Sequence, residues 1–467
     1  MLSHSSQRLR LWLIVLLLFG SSSVFAASQK PNFVLIMADD CTYWDMECYG
    51  GQAKTPHLNK LCSEGMKFTK CFQAAPMCSP TRHCLYTGIY PVKSGAHPNH
   101  TFVYPGTKSI VHHLKPNGYR VALSGKRHIN PPESFPFVRL NKKGKKKGGN
   151  NPDFEEVTRF LKQRKKDEKP FCLFACSNEP HTPWNKGDAS AYPPAKLKLP
   201  PFFVDTPKTR SDYSKYLAEI TYFDSQVGEC MSILDKLELR DNTVVMVLSE
   251  QGNSFPFAKW TCYEMGVASG MIVRWPGKVK PRSVNDALVE YVDVVPTFLS
   301  IAGVNAPKGL DGRSFREILL GAKREHKEYV YSVQTSRGII NGPKEYGIRT
   351  IRSKKYRYVL NLTPEVKFRN AIMNRRSFWP TWVAKAEKGD KHAQAMVQRY
   401  QKRPGEELFD VTADPYNQKN LANDPKLAEI KQDLKQRLQA WMKAQGDLGA
   451  ETERKAHLRQ WKNRKRQ

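Results

Sequence analysis

Short apolar runs recur along the first two thirds of the chain, and each ends in polar residues. "PNFVLIMADD" carries Phe33–Ala38 into Asp39 and Asp40. "YRVALSGKRH" ends in Lys126 and His128, "PFCLFACSNEPHTP" runs on to His181, and "NTVVMVLSEQGN" ends in Glu250 and Gln251. Unbroken apolarity over so few residues predicts strands buried on both faces, as parallel strands are. Helix-like spacing separates them in "TPHLNKLCSEG", "DFEEVTRFLKQRK" and the long "YSKYLAEITYFDSQVGECMSILDKLEL". "SPTRHCLYTG" predicts a helix opening at Ser79, with Pro80 at its first position and Gly88 ending it. Residues 185–210 are proline-rich and aperiodic, a surface loop. Strand and helix alternate from 31 to 320, which predicts an α/β fold: a large, mostly parallel sheet sandwiched by helices.

The pattern then changes. "EYGIRTIRSKKYRYVLNL" predicts an antiparallel hairpin, "ELFDVTADPYNQKNLA" a turn-rich segment, and "KLAEIKQDLKQRLQAWMKAQ" an amphipathic helix. A smaller C-terminal α+β subdomain with an antiparallel sheet is expected at 325–445, after a main domain at 27–324. A basic tail follows at 446–467. At the other end, Arg8 and Arg10 precede "LWLIVLLLFG" and then "SSSVFAAS", the pattern of a secretory signal peptide. Cleavage after Ala26 or Ala27 leaves residues 1–26 outside the fold. The apolar run is short for a membrane span. The mature protein is expected to be exported, periplasmic or secreted, without a transmembrane span; a retained anchor is the other reading.

Charge narrows the partners. The 467 residues hold 75 Lys and Arg against 44 Asp and Glu, a formal charge of +31. Such a balance draws polyanions: nucleic acid, sulfated or carboxylated polysaccharide, or anionic membrane. Export argues against nucleic acid. Part of the excess lies in "NKKGKKKGGN" at 141–150 and "RKAHLRQWKNRKRQ" at 454–467, both read as solvated charge runs. The ten cysteines all lie at or before Cys262, and none forms a CxxC pair of the zinc-finger type. Disulfides are open to an exported chain; thiols inside apolar runs, as at Cys172 and Cys176, read as buried and reduced.

The polar run ends share a chemistry. Ligands in open α/β sheets bind at the carboxyl ends of strands. If the strands are neighbours, Asp39, Asp40, Glu250 and Gln251 form a set of hard oxygen donors suited to Ca²⁺, less well to Mg²⁺, rather than zinc. Lys126, His128, His181, Lys259 in "FAKWT" and Arg82 supply positive charge and donors for a tetrahedral anion. Taken singly, each has a plainer reading as a turn cap or a loop residue. "HPNH" at 97–100 is either a substrate subsite or a pair of loop histidines.

Six segments in one order, from 31 to 425, resemble the formylglycine-type sulfatases of the alkaline-phosphatase-like superfamily. They are the Asp39-Asp40 strand, Cys78-x-Pro80-x-Arg82 with its "LYTG" end, Gly125-Lys126-x-His128, Pro180-His181-x-Pro183, the Glu250-Gln251 run end, and "ELFDVTADPYNQKNLA". The resemblance implies that a formylglycine-generating or anaerobic sulfatase-maturating enzyme oxidises Cys78 to formylglycine. Its hydrate would attack sulfur of a sulfate ester or sulfamate. Asp39, Asp40, Glu250 and Gln251 are carried over as metal ligands with residue 78. Lys126 and Lys259 are carried over as sulfate binders, as are His128 and His181, one of which would protonate the leaving group. Arg82, one turn along, would reach back to residue 78. The family usually has Asp followed by Asn or His where this chain has Glu250-Gln251, and Trp where it has Arg127. "GKRHINPPESFPF" and "EQGNSFPFAKW" look like the sulfamidase branch. A sulfated glycan is the expected substrate. Two other readings are a zinc-dependent phosphatase or phosphodiesterase of the superfamily, which needs a Thr or Ser nucleophile and more His ligands, and a non-catalytic glycan-binding relative. Cys41 and Cys84 carry no functional assignment and read as packing.

Overall fold

The apolar runs are strands. A computed structural model describes residues 29–141 and 150–466, so the leader at 1–26 and most of the 141–150 lysine run lie outside the described residues. The main strands are β1 (Asn32–Met37), β2 (Met66–Phe72), β3 (Arg120–Gly125), β4 (Val138–Arg139), β5 (Phe171–Cys176), β6 (Thr243–Leu248), β7 (Ala268–Arg274), β8 (Ser283–Asn285) and β9 (Val289–Glu290). They form one sheet in the order β4-β3-β5-β1-β6-β7-β2-β8, with β9 beside β2. β1 lies parallel to both β5 and β6, and β3 parallel to β5. The four runs with polar ends are therefore consecutive neighbours that finish at one edge. β7 runs antiparallel to β6 and β2, the reversal in a mostly parallel sheet.

Both faces are covered, as unbroken apolarity requires. Val34 and Ile36 of β1 point into a core shared with the long helix, while Phe33, Leu35 and Met37 point to the opposite core. The helices around the sheet include α1 (Pro56–Glu64), α2 (Cys78–Thr87), α3 (Phe154–Lys162), α4 (Pro207–Lys236) and α5 (Val294–Ile301). Tyr213, Tyr216 and Phe223 of α4 fill one side and Val294, Val295 and Phe298 of α5 the other. α2 differs from expectation at its start. Its first residue is Cys78 with Met77 as cap, so Pro80 sits inside the first turn, where its missing N–H costs nothing. Gly88 ends the helix in the left-handed region (φ 70).

A second sheet, β10 (Val330–Thr335), β11 (Gly347–Arg352), β12 (Tyr356–Asn361) and β13 (Glu406–Asp410), is antiparallel throughout. β13 is the start of the segment expected to be turns; its backbone pairs along β12. Two helices from a stretch without an assignment, α6 (Trp379–Glu387) and α7 (Lys391–Gln401), follow the hairpin, then α8 (Ala428–Ala444) and α9 (Ala450–Lys455). Pro31–Gln467 form one compact unit. Buried ion pairs bind the second sheet to the first: Arg352 and Arg357 both meet Glu264, which just precedes β7.

The C-terminal residues are not a solvated run. Arg459 is buried, stacks on Phe102 and Tyr104, and donates to the carbonyls of Gly95 and Phe102. Gln460 bridges Thr101, and the Trp461 N–H donates to the His100 carbonyl at 2.7 Å. Guanidinium stacking and unpaired loop carbonyls give this basic segment partners that its charge pattern hides. All ten cysteines are thiols. Cys41 and Cys84 are fully buried in apolar surroundings, in agreement with packing roles.

Candidate active site

The four strand ends converge. Asp39 and Asp40 follow β1, Glu250 and Gln251 follow β6 on one side, and His181 follows β5 on the other. Lys126 and His128 follow β3 next to β5. Cys78, at the first turn of α2, meets them: Asp39, Asp40, Cys78 and Glu250 each offer a ligand atom within 4.8 Å of the others. All four are buried. Asp40 (φ 61), Glu250 (φ 64) and His128 (φ 50) lie in the left-handed region, a strained setting for residues with side chains. Hydrogen bonds hold the turns: Asp40 N–H donates to Glu250 Oε2 at 3.3 Å, and Glu250 N–H to the Tyr291 hydroxyl at 2.9 Å.

Cations neutralise the acids. Lys259 Nζ is 2.6 Å from Asp40 Oδ2, and Lys126 pairs with Asp39. Burial would push the Asp40 carboxyl up, but Lys259 and His181 outweigh it and hold the group below its ordinary value. Burial wins at Glu250, which is raised despite Arg82. Burial opposes the charge on Lys259, yet Asp40 keeps that ammonium above its usual pKa. Lys126 falls to about 7 through burial. Arg82 departs from expectation. Its guanidinium turns to Glu250 Oε1 (2.7 Å), Asp39 Oδ1 (3.5 Å) and the carbonyls of Lys126 and Ala38, so it ties strand ends together rather than reaching back to Cys78.

The two histidines are placed differently. His181 directs Nδ1 to the Thr182 carbonyl (2.7 Å) and Nε2 toward Asp40 (3.7 Å). His128 Nε2 meets His100 Nδ1 at 3.0 Å, while its own Nδ1 is buried without a partner. Burial lowers His181 to about 3, and burial with Lys126 nearby holds His128 well below its ordinary value. Cys78 Sγ lies 3.2 Å from Gln251 Nε2, and burial pushes its thiol up to about 12.

A cleft of about 610 Å³ opens over Cys78. Among the described residues its charged lining is Lys126, Arg127, Arg139, Lys259, Arg375 and Arg376, with no Asp or Glu. Arg139, Arg375, Arg376 and Trp260 were not singled out in the sequence. Nothing in their aperiodic segments marks them; only the fold brings them to the rim. Ser254, which donates to Asp40 Oδ2 at 3.0 Å, lay unnoticed beside the Glu250-Gln251 pair.

The donor set fits a hard divalent cation. Three buried carboxylates face one point, and Gln251 Oε1 is buried without a hydrogen-bond partner. Rotating that amide would exchange nitrogen for oxygen on the side facing Asp40 and Cys78. Oxygen donors of this number match Ca²⁺ or Mg²⁺, and the single thiol does not make a zinc site.

Comparisons agree with this geometry. The sequence model of the family described as Sulfatase matches residues 31–304, and one described as N-sulphoglucosamine sulphohydrolase, C-terminal, matches 252–366. An ulvan-active sulfatase from Formosa agariphila is 34% identical over 435 residues, covering 91% of this chain and 82% of the relative. The human N-sulphoglucosamine sulphohydrolase is 24% identical over 468 residues, covering 89% and 90%. A protein solved in complex with its substrate, D-glucosamine-2-N,6-O-disulfate, superposes with a TM-score of 0.65 at 18% identity, covering 90% of this chain and 99% of that one, a likeness of fold. With the family model spanning more than half of the chain and this strand-end site within it, the chain belongs to the sulfatase family.

Proposed function

We propose that this sulfatase hydrolyses sulfate esters or sulfamates on a sulfated glycan, using residue 78 as nucleophile after its conversion to formylglycine. One observation carries the reading: Cys78 lies within ligand distance of three buried carboxylates at the floor of a cleft whose charged lining is entirely cationic. The Cys78-x-Pro80-x-Arg82 segment supports oxidation of the Cys78 side-chain carbon to an aldehyde. A formylglycine-generating or anaerobic maturating enzyme would perform that step. The leader-like residues 1–26 support export to the periplasm or beyond.

A calcium ion held by Asp39, Asp40, Glu250, Gln251 and residue 78 would supply charge against a sulfate oxygen and lower the pKa of the attacking hydroxyl. Lys126 and Lys259 flank Cys78 and are placed to hold the remaining sulfate oxygens; Lys126 Nζ is 3.8 Å from Cys78 Sγ. Arg82 fixes Asp39 and Glu250 and thereby the site's shape. His181, with Nε2 on the cleft side, is neutral when free. A bound sulfate beside it raises its affinity for a proton, which it can then pass to the leaving oxygen or nitrogen. His128 lines the same cleft with its Nε2 held by His100, and would turn that nitrogen to the same anion when substrate displaces His100. The names of the relatives, an ulvan-active enzyme and a sulphoglucosamine enzyme, support a glycan substrate.

The test is sulfate release from ulvan, from heparin-type glycans and from glucosamine-2-N,6-O-disulfate by protein made with a maturating enzyme. Cys78→Ala is expected to lose at least about a thousandfold in kcat. Equal release by the variant would reject the role of residue 78. An unmodified thiol in active protein, read by peptide mass, would reject the formylglycine.

A further inference from the structure

Beside the cleft over Cys78 lies a second groove of about 570 Å³. The two share His100, Gly338, Ile339 and Ile340 as walls, so they are immediate neighbours. Three remote segments build the groove: the loop at 97–100, the β10–β11 loop, and the C-terminal stretch that donates Trp461 N–H to the His100 carbonyl. Its charged lining is Arg337, Lys344 and Lys462, again without an Asp or Glu. Among the described residues none of these three pairs with a carboxylate, and the Arg337 Nε is buried without a hydrogen-bond partner. Burial first, and then Lys259 and Lys462, disfavour a charge on His100 where the two cavities meet. Cations gathered on one groove without acidic partners suit an anionic ligand. Ile340, 47% exposed, and the ring of Trp461 add apolar surface of the kind that packs against a sugar face.

Resting on the sulfatase reading, we propose that this groove is a second sugar subsite. It takes the anionic unit, sulfated or carboxylated, that adjoins the sugar presenting its sulfate to residue 78. The enzyme thus recognises a segment of polyanionic chain rather than one sugar. The occupant's negative groups meet Lys344, Lys462 and Arg337 while its ring lies on Trp461 and Ile340.

The test compares wild type with Lys344→Ala/Lys462→Ala, whose melting midpoint verifies folding, on tetrasaccharides from ulvan and heparin and on glucosamine-2-N,6-O-disulfate. A monosaccharide seated at residue 78 is expected to leave the groove empty. The variant is expected to lose about fivefold to thirtyfold in kcat/KM on the tetrasaccharide it hydrolyses and to stay within about twofold on the monosaccharide. Equal losses on both, or none on either, would overturn the proposal. A second arm measures tetrasaccharide binding to Cys78→Ala protein with and without the two lysine changes. Weaker binding with the changes, in an enzyme that releases no sulfate, would sink the sulfatase reading and keep the groove. Sulfate release with tetrasaccharide binding unchanged would do the reverse.

Discussion

Glu250 and Gln251 are each one methylene longer than the Asp and Asn that the sulfatase resemblance leads one to expect there, yet both reach the cluster. Glu250 leaves β6 at a φ of 64, and its carboxylate turns back to Arg82 and the Asp40 N–H. The extra length is taken up by the turn, so the Glu250 carboxylate stays beside Asp39, Asp40 and Cys78. Calcium is then expected to stabilise the fold by about 2.7 kcal/mol at a hundredfold excess over its Kd, and so to raise the melting midpoint. Glu250→Gln, which keeps the size and removes one charge, should weaken that shift at least about tenfold in calcium affinity. A midpoint indifferent to calcium and to chelator in wild type would remove the metal assignment. At this scale the sequence was informative where chemistry ends an apolar run: Asp39, Asp40, Lys126, His181, Glu250 and Gln251 are all of that kind. It was silent on direction. Spacing put Arg82 one turn from Cys78, but the choice between Cys78 and Glu250 depends on a strand 168 residues away in the chain, since 250 lies that far beyond 82.

Elements carry the next dependence. The loop bearing His100 is fastened by Asn99, which donates to the carbonyls of Arg337 and Gly338, and from the C-terminus. Arg459 grips the carbonyls of Gly95 and Phe102, and Thr101 Oγ1 donates to the Arg459 carbonyl. His100 in turn fixes the ring of His128. Arg459→Ala is expected to cost about 1–3 kcal/mol, because two buried carbonyls lose their donor. It should also lower kcat more than it raises KM, through a loosened His128. Arg459→Lys should recover only part of either, since an ammonium cannot fork to both carbonyls. Urea denaturation and steady-state kinetics read the two effects; unchanged kcat in Arg459→Ala would break the link to His128. No helical or strand period marks this segment, and a run of charges is as compatible with burial by stacking as with solvation. Strands and helices were legible because each buries a periodic face, while loops and the tail are set by partners far away in sequence.

Across the molecule, stability is coupled to pH through buried acids. Asp224 of α4 accepts the N–H groups of His57 and Leu58 at the start of α1, yet burial pushes its carboxyl up to about 6. A raised carboxyl binds its proton more readily folded than unfolded. Its contribution is therefore fully present below the ordinary value near 3.8 and is lost as pH rises through about 6. The difference amounts to at most about 3 kcal/mol. Asp224→Asn should flatten the stability profile between those values, measured by denaturant melts at a series of pH; parallel profiles would refute it. The net charge of +31 works the other way, since lowering pH adds to self-repulsion, so the variant's difference from wild type is the informative quantity. At this scale the α/β architecture and its antiparallel annex were legible from the run pattern. The reversed β7 was not, because an apolar run carries no arrow.

Cys78 is 5% exposed at the floor of the finished cleft. The residues that steady one wall of that cleft, 459–461, leave the ribosome long after the loop at 95–102 that they hold. Any enzyme that must take the Cys78 side chain into its own active site faces a closing door. It has to act while the chain is still being made or is held unfolded, and folding speed competes with modification. Conditions that hasten folding would then raise the share of protein that is well formed yet inert.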